Sequence, residues 1–510
     1  MVAGVLAASV GLSRVLGYVR EGVISRLLGN GAEVDAYRAA FMLPDLLNYF
    51  LAGGALSIAF IPFYTRIRDA EGEAAAARFF GVVLGTTAAV ALAATGAMWL
   101  EAERLIAVQF PDFDAAKAAL AVRLTRILLP AQIFFLTGGV IKGALMARGH
   151  FAAQSLSGVI YNGAIILCGL ALGSRMGAEG FAWGALAGAA LGPVGAACWE
   201  ARRAGLGLPL RLSLRDRELG AYLVKALPLM LGVTLLTVDE WYDKWFGGLL
   251  GDGVIASLGY ARVLMLLPVA IVGQAIATAA MPTLSRLHAE GRVQELHDTL
   301  LGVLRAGLSL ACLGAAGTFV FAEPLVRLVY EGGAFGPEDT ERVSALLRIL
   351  AFAVPAWIVQ QIAVRGFYAR GDTWRPMWLG TVIAALAVVL YFVLGQRYGA
   401  QGLAAAGALG MSGNAACTLL LLRAMHGGPS LEETLKTGLR AAGVAAAAGV
   451  VAWLVPPLGE GTLGALGELS IGGAVFAGVV LLGVQVAGDD SQRRAIEGIL
   501  RRLRGGTRRP

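Results

Sequence analysis

The chain has 510 residues, of which 57% are hydrophobic and only 15% charged, whereas a soluble domain carries about 25% charged residues. Its mean hydropathy is +0.69, which places it among polytopic membrane proteins. The net charge of +7 sits largely in short loops between apolar runs, a distribution that argues against nucleic-acid binding.

The first apolar run starts at Val2. Arg14 interrupts it too early for a signal peptide, and no small-residue cleavage site follows, so it is expected to be a span. Fourteen helical spans are predicted in chain order: 3–28, 33–64, 79–100, 119–146, 151–173, 178–200, 220–247, 254–284, 299–322, 343–368, 377–396, 401–424, 439–457 and 466–488. Alternate loops are arginine-rich, among them those holding Arg66 and Arg68, Arg202 and Arg203, and Arg370 and Arg375. The intervening loops are often acidic. By the positive-inside rule the basic set is cytoplasmic. Both termini then lie inside, including a basic tail at 489–510.

The chain repeats itself. GSRMGAEGFA at 173–182 aligns with GQRYGAQGLA at 395–404, and LMARG at 145–149 with FYARG at 367–371, both at an offset of 222. ALSIAFIPFYTRI at 55–67 aligns with AIATAAMPTLSRL at 275–287, at an offset of 220. The expected organisation is an N-lobe at 1–210, a C-lobe at 218–428 that repeats it in the same orientation, and two further spans at 429–488. Parallel repeats of this kind enclose a central cavity in many transporters.

Charges inside spans are functional candidates, because an arginine at mid-span costs roughly 2.5–3.5 kcal/mol. They concentrate in the first two spans of each half. In GLSRVLGYVRE at 11–21, Ser13 and Arg20 share one helical face and Arg14 and Glu21 another, the latter as an expected internal pair. Gly17 lies between the two arginines as a possible hinge. The repeat carries Arg20–Glu21 onto Asp243–Lys244, so Arg20 is expected to face Asp243. Arg38 reads as a side chain that snorkels to the interface. Excess arginine in a cavity suits an anion, since guanidinium grips pyrophosphate bidentately. No nucleophile–base arrangement, P-loop or metal-ligand cluster is seen. Cys168, Cys198, Cys312 and Cys417 lack paired spacing, so an enzyme, a disulfide framework and a metal site are not expected.

These motifs resemble the MurJ (MviN) family, lipid II flippases of the MOP exporter superfamily. SRVLGYVRE at 13–21, DAYRAAFMLPDLL at 35–47, YARVLMLLP at 260–268, PLVRLVYEGGAFGPED at 324–339 and GFYARGDTWRP at 366–376 carry the resemblance, which spans nearly the whole chain. It implies fourteen spans in a bacterial cytoplasmic membrane, a cationic cavity and alternating access. The implied partners are an undecaprenyl-pyrophosphate-linked peptidoglycan precursor, membrane lipids and peptidoglycan synthases. Ser13, Arg14, Arg20, Glu21 and Asp35 match positions that bind substrate in the family, with Arg262 one place from another. Asp243 matches an aspartate used in a sodium site, but the other sodium ligands fall at Ala387 and Tyr391, so sodium coupling is doubtful. An expected arginine falls at Asn48, an expected glutamate at Gly53 and the span-8 arginine at Val263. The alternatives are a flippase for another polyprenyl-linked oligosaccharide, a MATE-like antiporter, and a membrane scaffold that does not transport.

Overall fold

The computed structural model describes residues 2–52, 55–213, 215–231, 235–459, 461–488 and 493. Among these residues the regular structure is helical, apart from one bridge between Gly332 and Phe335. The basic tail, except Arg493, and Gly53 lie outside the described residues. Eight helices are long and apolar enough to cross a membrane: Glu73–Leu100, Ala115–Ala147, Ala152–Met176, Ala178–Arg203, Val293–Val320, Trp374–His426, Leu431–Trp453 and Gly461–Ala487. A bent pair, Pro337–Ala351 with Val354–Tyr368, makes a ninth candidate. The chain is a multi-pass, all-helical membrane protein.

Two expected spans, 377–396 and 401–424, share the 53-residue helix Trp374–His426, which breaks at Gly399. The four expected spans at 3–28, 33–64, 220–247 and 254–284 are the ones that carry most of the intramembrane charges. The last three also divide into shorter helices. None of the four qualifies by length and apolarity, so these criteria do not establish a count of fourteen.

The chain packs as two units. The first is Met1–Gly232 with the short segments Gly251–Ala256 and Gly332–Phe335, and the second holds the remainder. In the first, the rings of Phe60, Phe63, Phe79 and Tyr222 stack and cross in one core. In the second, Val444 and Ala448 of Leu431–Trp453 pack on Val480 and Val484 of Gly461–Ala487.

Small residues set the helix spacing near the charges. Gly184, Gly188 and Gly192 recur every four residues and face the helix Ala152–Met176. A methyl group on them would come within 2.9 Å of Cys168 Cβ, 2.8 Å of the Tyr161 carbonyl and 2.7 Å of the Ser157 carbonyl, respectively. Lipid gives apolar helices no hydrophobic reason to associate, so close backbone approach supplies the contact. The same helix lets in its other neighbour at Gly158, where a Cβ would lie 2.4 Å from Ser13 Oγ.

Two of the aligned motifs share local backbone geometry. Gly177 and Gly399, which the alignment pairs, adopt φ 53°, ψ −133° and φ 57°, ψ −137°. Arg148, Gly149 and His150 donate from the backbone to Leu145, Met146 and Leu145. Arg370, Gly371 and Asp372 repeat the pattern on Phe367, Tyr368 and Phe367.

The conformation shared by Gly177 and Gly399 is almost closed to residues with a Cβ. A Cβ on Gly399 would meet nothing within 4 Å, whereas one on Gly177 would lie 2.0 Å from Glu33 Oε1. Gly399→Ala is therefore expected to lose only the backbone strain, about 1–3 kcal/mol. Gly177→Ala should lose more. Thermal midpoints of the two variants in detergent check that order.

Candidate functional site

The first unit gathers its charges around Glu21, on the helix Val2–Leu28. Glu21 is buried, and both its oxygens are used. Oε1 accepts from Arg20 Nε at 3.2 Å and Nη2 at 2.7 Å, and Oε2 accepts from Arg38 Nη2 at 2.7 Å. Arg20 Nη1 donates to Asn162 Oδ1 at 3.0 Å, while Asn162 Nδ2 donates to the Ser13 carbonyl at 3.2 Å and to Ser13 Oγ at 3.4 Å. Ser13 and Arg20 thus share a face, as their spacing requires, and Asn162 joins them.

Three expectations change. Glu21 pairs with Arg20 and Arg38 rather than Arg14, whose side chain is exposed. Arg38 turns inward to a buried acid instead of snorkelling. Arg20 is balanced by Glu21 and Asn162 within its own unit, and Asp243 is balanced in the other, so the expected Arg20–Asp243 pairing is replaced by local partners. The backbone stays helical through Gly17, where a Cβ would meet nothing.

Asp35 is placed apart from this network and is fully buried. Its carboxylate accepts from Lys117 Nζ at 2.9 Å and from the backbone N–H groups of Gly253 at 2.7 Å and Ala256 at 2.7 Å. Asp35 therefore caps the helix Val254–Pro268, a role that places negative charge at the positive end of the helix dipole. Lys117 also reaches Asp252 at 2.8 Å and lies 4.3 Å from the centre of the Phe113 ring. The segment Gly332–Phe335 docks on the first helix, with Ala334 N–H donating to the Arg26 carbonyl at 2.8 Å. The EGGAFG motif, which reads as a plain loop, is the mould for that contact. Gly333 has φ 60°, and a Cβ there would lie 2.2 Å from the Arg26 carbonyl oxygen.

The second unit holds a separate charge cluster. Arg262 is buried, with 8% of its side chain exposed, and donates to both Asp239 and Asp243, including Nε to Asp243 Oδ2 at 2.9 Å. Tyr391 donates its hydroxyl to the other oxygen of Asp239. Arg262, expected among the substrate-binding residues, thus spends its guanidinium on two aspartates of its own unit.

The sodium site implied by the resemblance does not fit these residues. Of the four carboxylate oxygens of Asp239 and Asp243, three already accept from Arg262 or Tyr391. Only Asp243 Oδ1 lacks a partner. A hard cation needs a shell of several oxygens. No group of three or more acidic, histidine or cysteine side chains suited to a metal occurs among the described residues.

At Asn48, where an arginine was expected, Nδ2 donates to Gln132 Oε1 at 2.9 Å. A neutral amide pair has replaced a charge. Sequence reading missed Asn162, Lys117, Asp252 and Gln132, and it named Asp243 without tying it to Arg262. Asp239 stands 23 residues before Arg262, and nothing local ties the two together.

Apolar helices that carry short-range ion networks within their bundles define a polytopic membrane protein. The fold agrees: the chain superposes on an inward-facing MATE multidrug transporter of the MOP superfamily with a TM-score of 0.69 at 17% identity, covering 83% of this chain and 98% of that one. It also superposes on a lipid II flippase MurJ in an inward closed conformation with a TM-score of 0.79 at 20% identity, covering 94% and 98%. The chain belongs to the lipid II flippase MurJ family, whose model matches residues 24–469. A probable lipid II flippase MurJ of Rhizobium meliloti is 30% identical over 404 residues, covering 77% of this chain and 75% of its own. One from Vibrio cholerae is 28% identical over 516 residues, covering 94% and 95%.

Removing one partner of a buried ion pair leaves the other charge uncompensated, at about 3–5 kcal/mol. Lys117→Met is expected to destabilise by that order. Lys117→Met combined with Asp35→Asn should cost clearly less than the sum of the single changes. A double-mutant cycle on unfolding midpoints in detergent measures the coupling.

Proposed function

We propose that this chain translocates an undecaprenyl-pyrophosphate-linked peptidoglycan precursor, lipid II, from the inner to the outer leaflet of a bacterial cytoplasmic membrane by alternating access. In this reading the repeats at 1–210 and 218–428 are the moving halves, residues 429–488 serve the lipid tail, and both termini are cytoplasmic. The observation that carries the reading is the constellation around Glu21. Two arginines, Arg20 and Arg38, meet on one carboxylate among apolar helices. Arg20 commits three of the five N–H donors of a guanidinium. Two remain, and 26% of the side chain is exposed. Asn162 and Glu21 hold the guanidinium plane, so a phosphate would meet donors already oriented. Arg14, exposed on the same helix, adds charge for a pyrophosphate. Gly17 is the proposed hinge between the two.

The tail has a fitting surface in the second unit. An apolar cavity of about 520 Å³ is lined by Phe319, Phe352, Pro355, Ala445, Gly449 and Trp453. Leu431–Trp453 contributes to its wall, while Gly461–Ala487 packs behind on that helix.

The test is rescue of a bacterium depleted of its own lipid II flippase. The chain is expected to restore growth, Arg20→Ala to fail at equal membrane expression, and Asn162→Leu to rescue weakly because Arg20 loses its aim. Failure of the unaltered chain, or full rescue by Arg20→Ala, would count against the proposal.

A further inference from the structure

The misfit of the sodium site has a positive content: we infer that the Arg262 guanidinium is a tethered counter-ion that stands where a bound sodium ion would sit, making this protein sodium-independent. Arg262 approaches Asp239 and Asp243 together and engages an oxygen of each. The remaining oxygen of Asp239 is taken by Tyr391. That hydroxyl is held by its ring, which stacks on Phe246 at 5.9 Å and meets Tyr242 edge-on at 5.2 Å. The backbone leaves room for the bond at Gly407, where a Cβ would lie 2.9 Å from the Tyr391 hydroxyl and 3.1 Å from Asp239 Oδ1. Each oxygen that could coordinate a cation, apart from Asp243 Oδ1, is filled by a donor belonging to the chain. The neighbouring Lys244 is itself bound to Glu240 at 3.1 Å, one helical turn away. A guanidinium supplies the same charge as a sodium ion and cannot leave. Two acids that a free ion would bridge reversibly are bridged permanently.

The inference concerns ion occupancy, so it is testable without lipid II and separately from the flippase reading. Purified protein in detergent is heated in sodium chloride and in choline chloride, and binding of radiolabelled sodium is measured. The unaltered chain is expected to show equal midpoints and no bound sodium. Arg262→Ala uncovers both aspartates and should gain a sodium-specific rise in midpoint, which disappears in Arg262→Ala combined with Asp243→Asn. Sodium binding by the unaltered chain that is lost in Asp243→Asn overturns the inference. So does a well-folded Arg262→Ala with no sodium response. Should Arg262→Ala not survive purification, the radiolabel comparison of the unaltered chain with Asp243→Asn decides alone: background binding in both supports the inference, and binding lost in Asp243→Asn overturns it.

Discussion

The three main charge clusters among the described residues obey one constraint: a charge among apolar helices finds its counter-charge within hydrogen-bonding distance. The penalty for an unpaired buried ion is several kcal/mol, comparable to a large share of a protein's net stability. Glu21 answers it by holding two arginines, Asp35 by holding a lysine and two backbone N–H groups, and Arg262 by holding two aspartates. Except for Lys117, on Ala115–Ala147, these groups sit on helices that do not qualify as plain apolar spans.

Pairing at such range requires helices placed to a few tenths of an ångström, and the chain achieves this with missing side chains rather than added ones. The glycine series 184, 188 and 192 draws its helix onto Ala152–Met176, and Gly158 of that helix admits Ser13. Asn162 stands one turn beyond Gly158 and so reaches Arg20. The route runs from small residues to helix spacing to the aim of one guanidinium.

The fold class, the repeat and the charged first helix were legible in the sequence because each is local. Hydropathy needs one window, the repeat needs short identical strings, and Ser13 and Arg20 share a face by their spacing alone. Partners were not legible where they lie far apart in the chain. Asn162 is 142 residues from Arg20, and Lys117 is 82 from Asp35. An asparagine in an apolar run carries no mark of which charge it orients. Arg38 misled for a related reason: a long side chain near a helix end satisfies itself equally well at an interface or on a buried acid, and only packing decides. The Arg20–Asp243 expectation failed because alignment of two halves identifies equivalent positions, and equivalence is not contact.

The two arginine clusters show how little residue type decides. Around Glu21 there are two guanidinium groups to one carboxylate, and around Arg262 there are two carboxylates to one guanidinium. Arg20 of the first cluster is about a quarter exposed, whereas Arg262 of the second is closed off from its surroundings. Counting intramembrane arginines therefore overstates the cationic character of this protein. The quantity that matters is the charge remaining after each arginine has met its nearest acids, and in the proposed function it is the exposed quarter of Arg20 on the first helix that meets the anion.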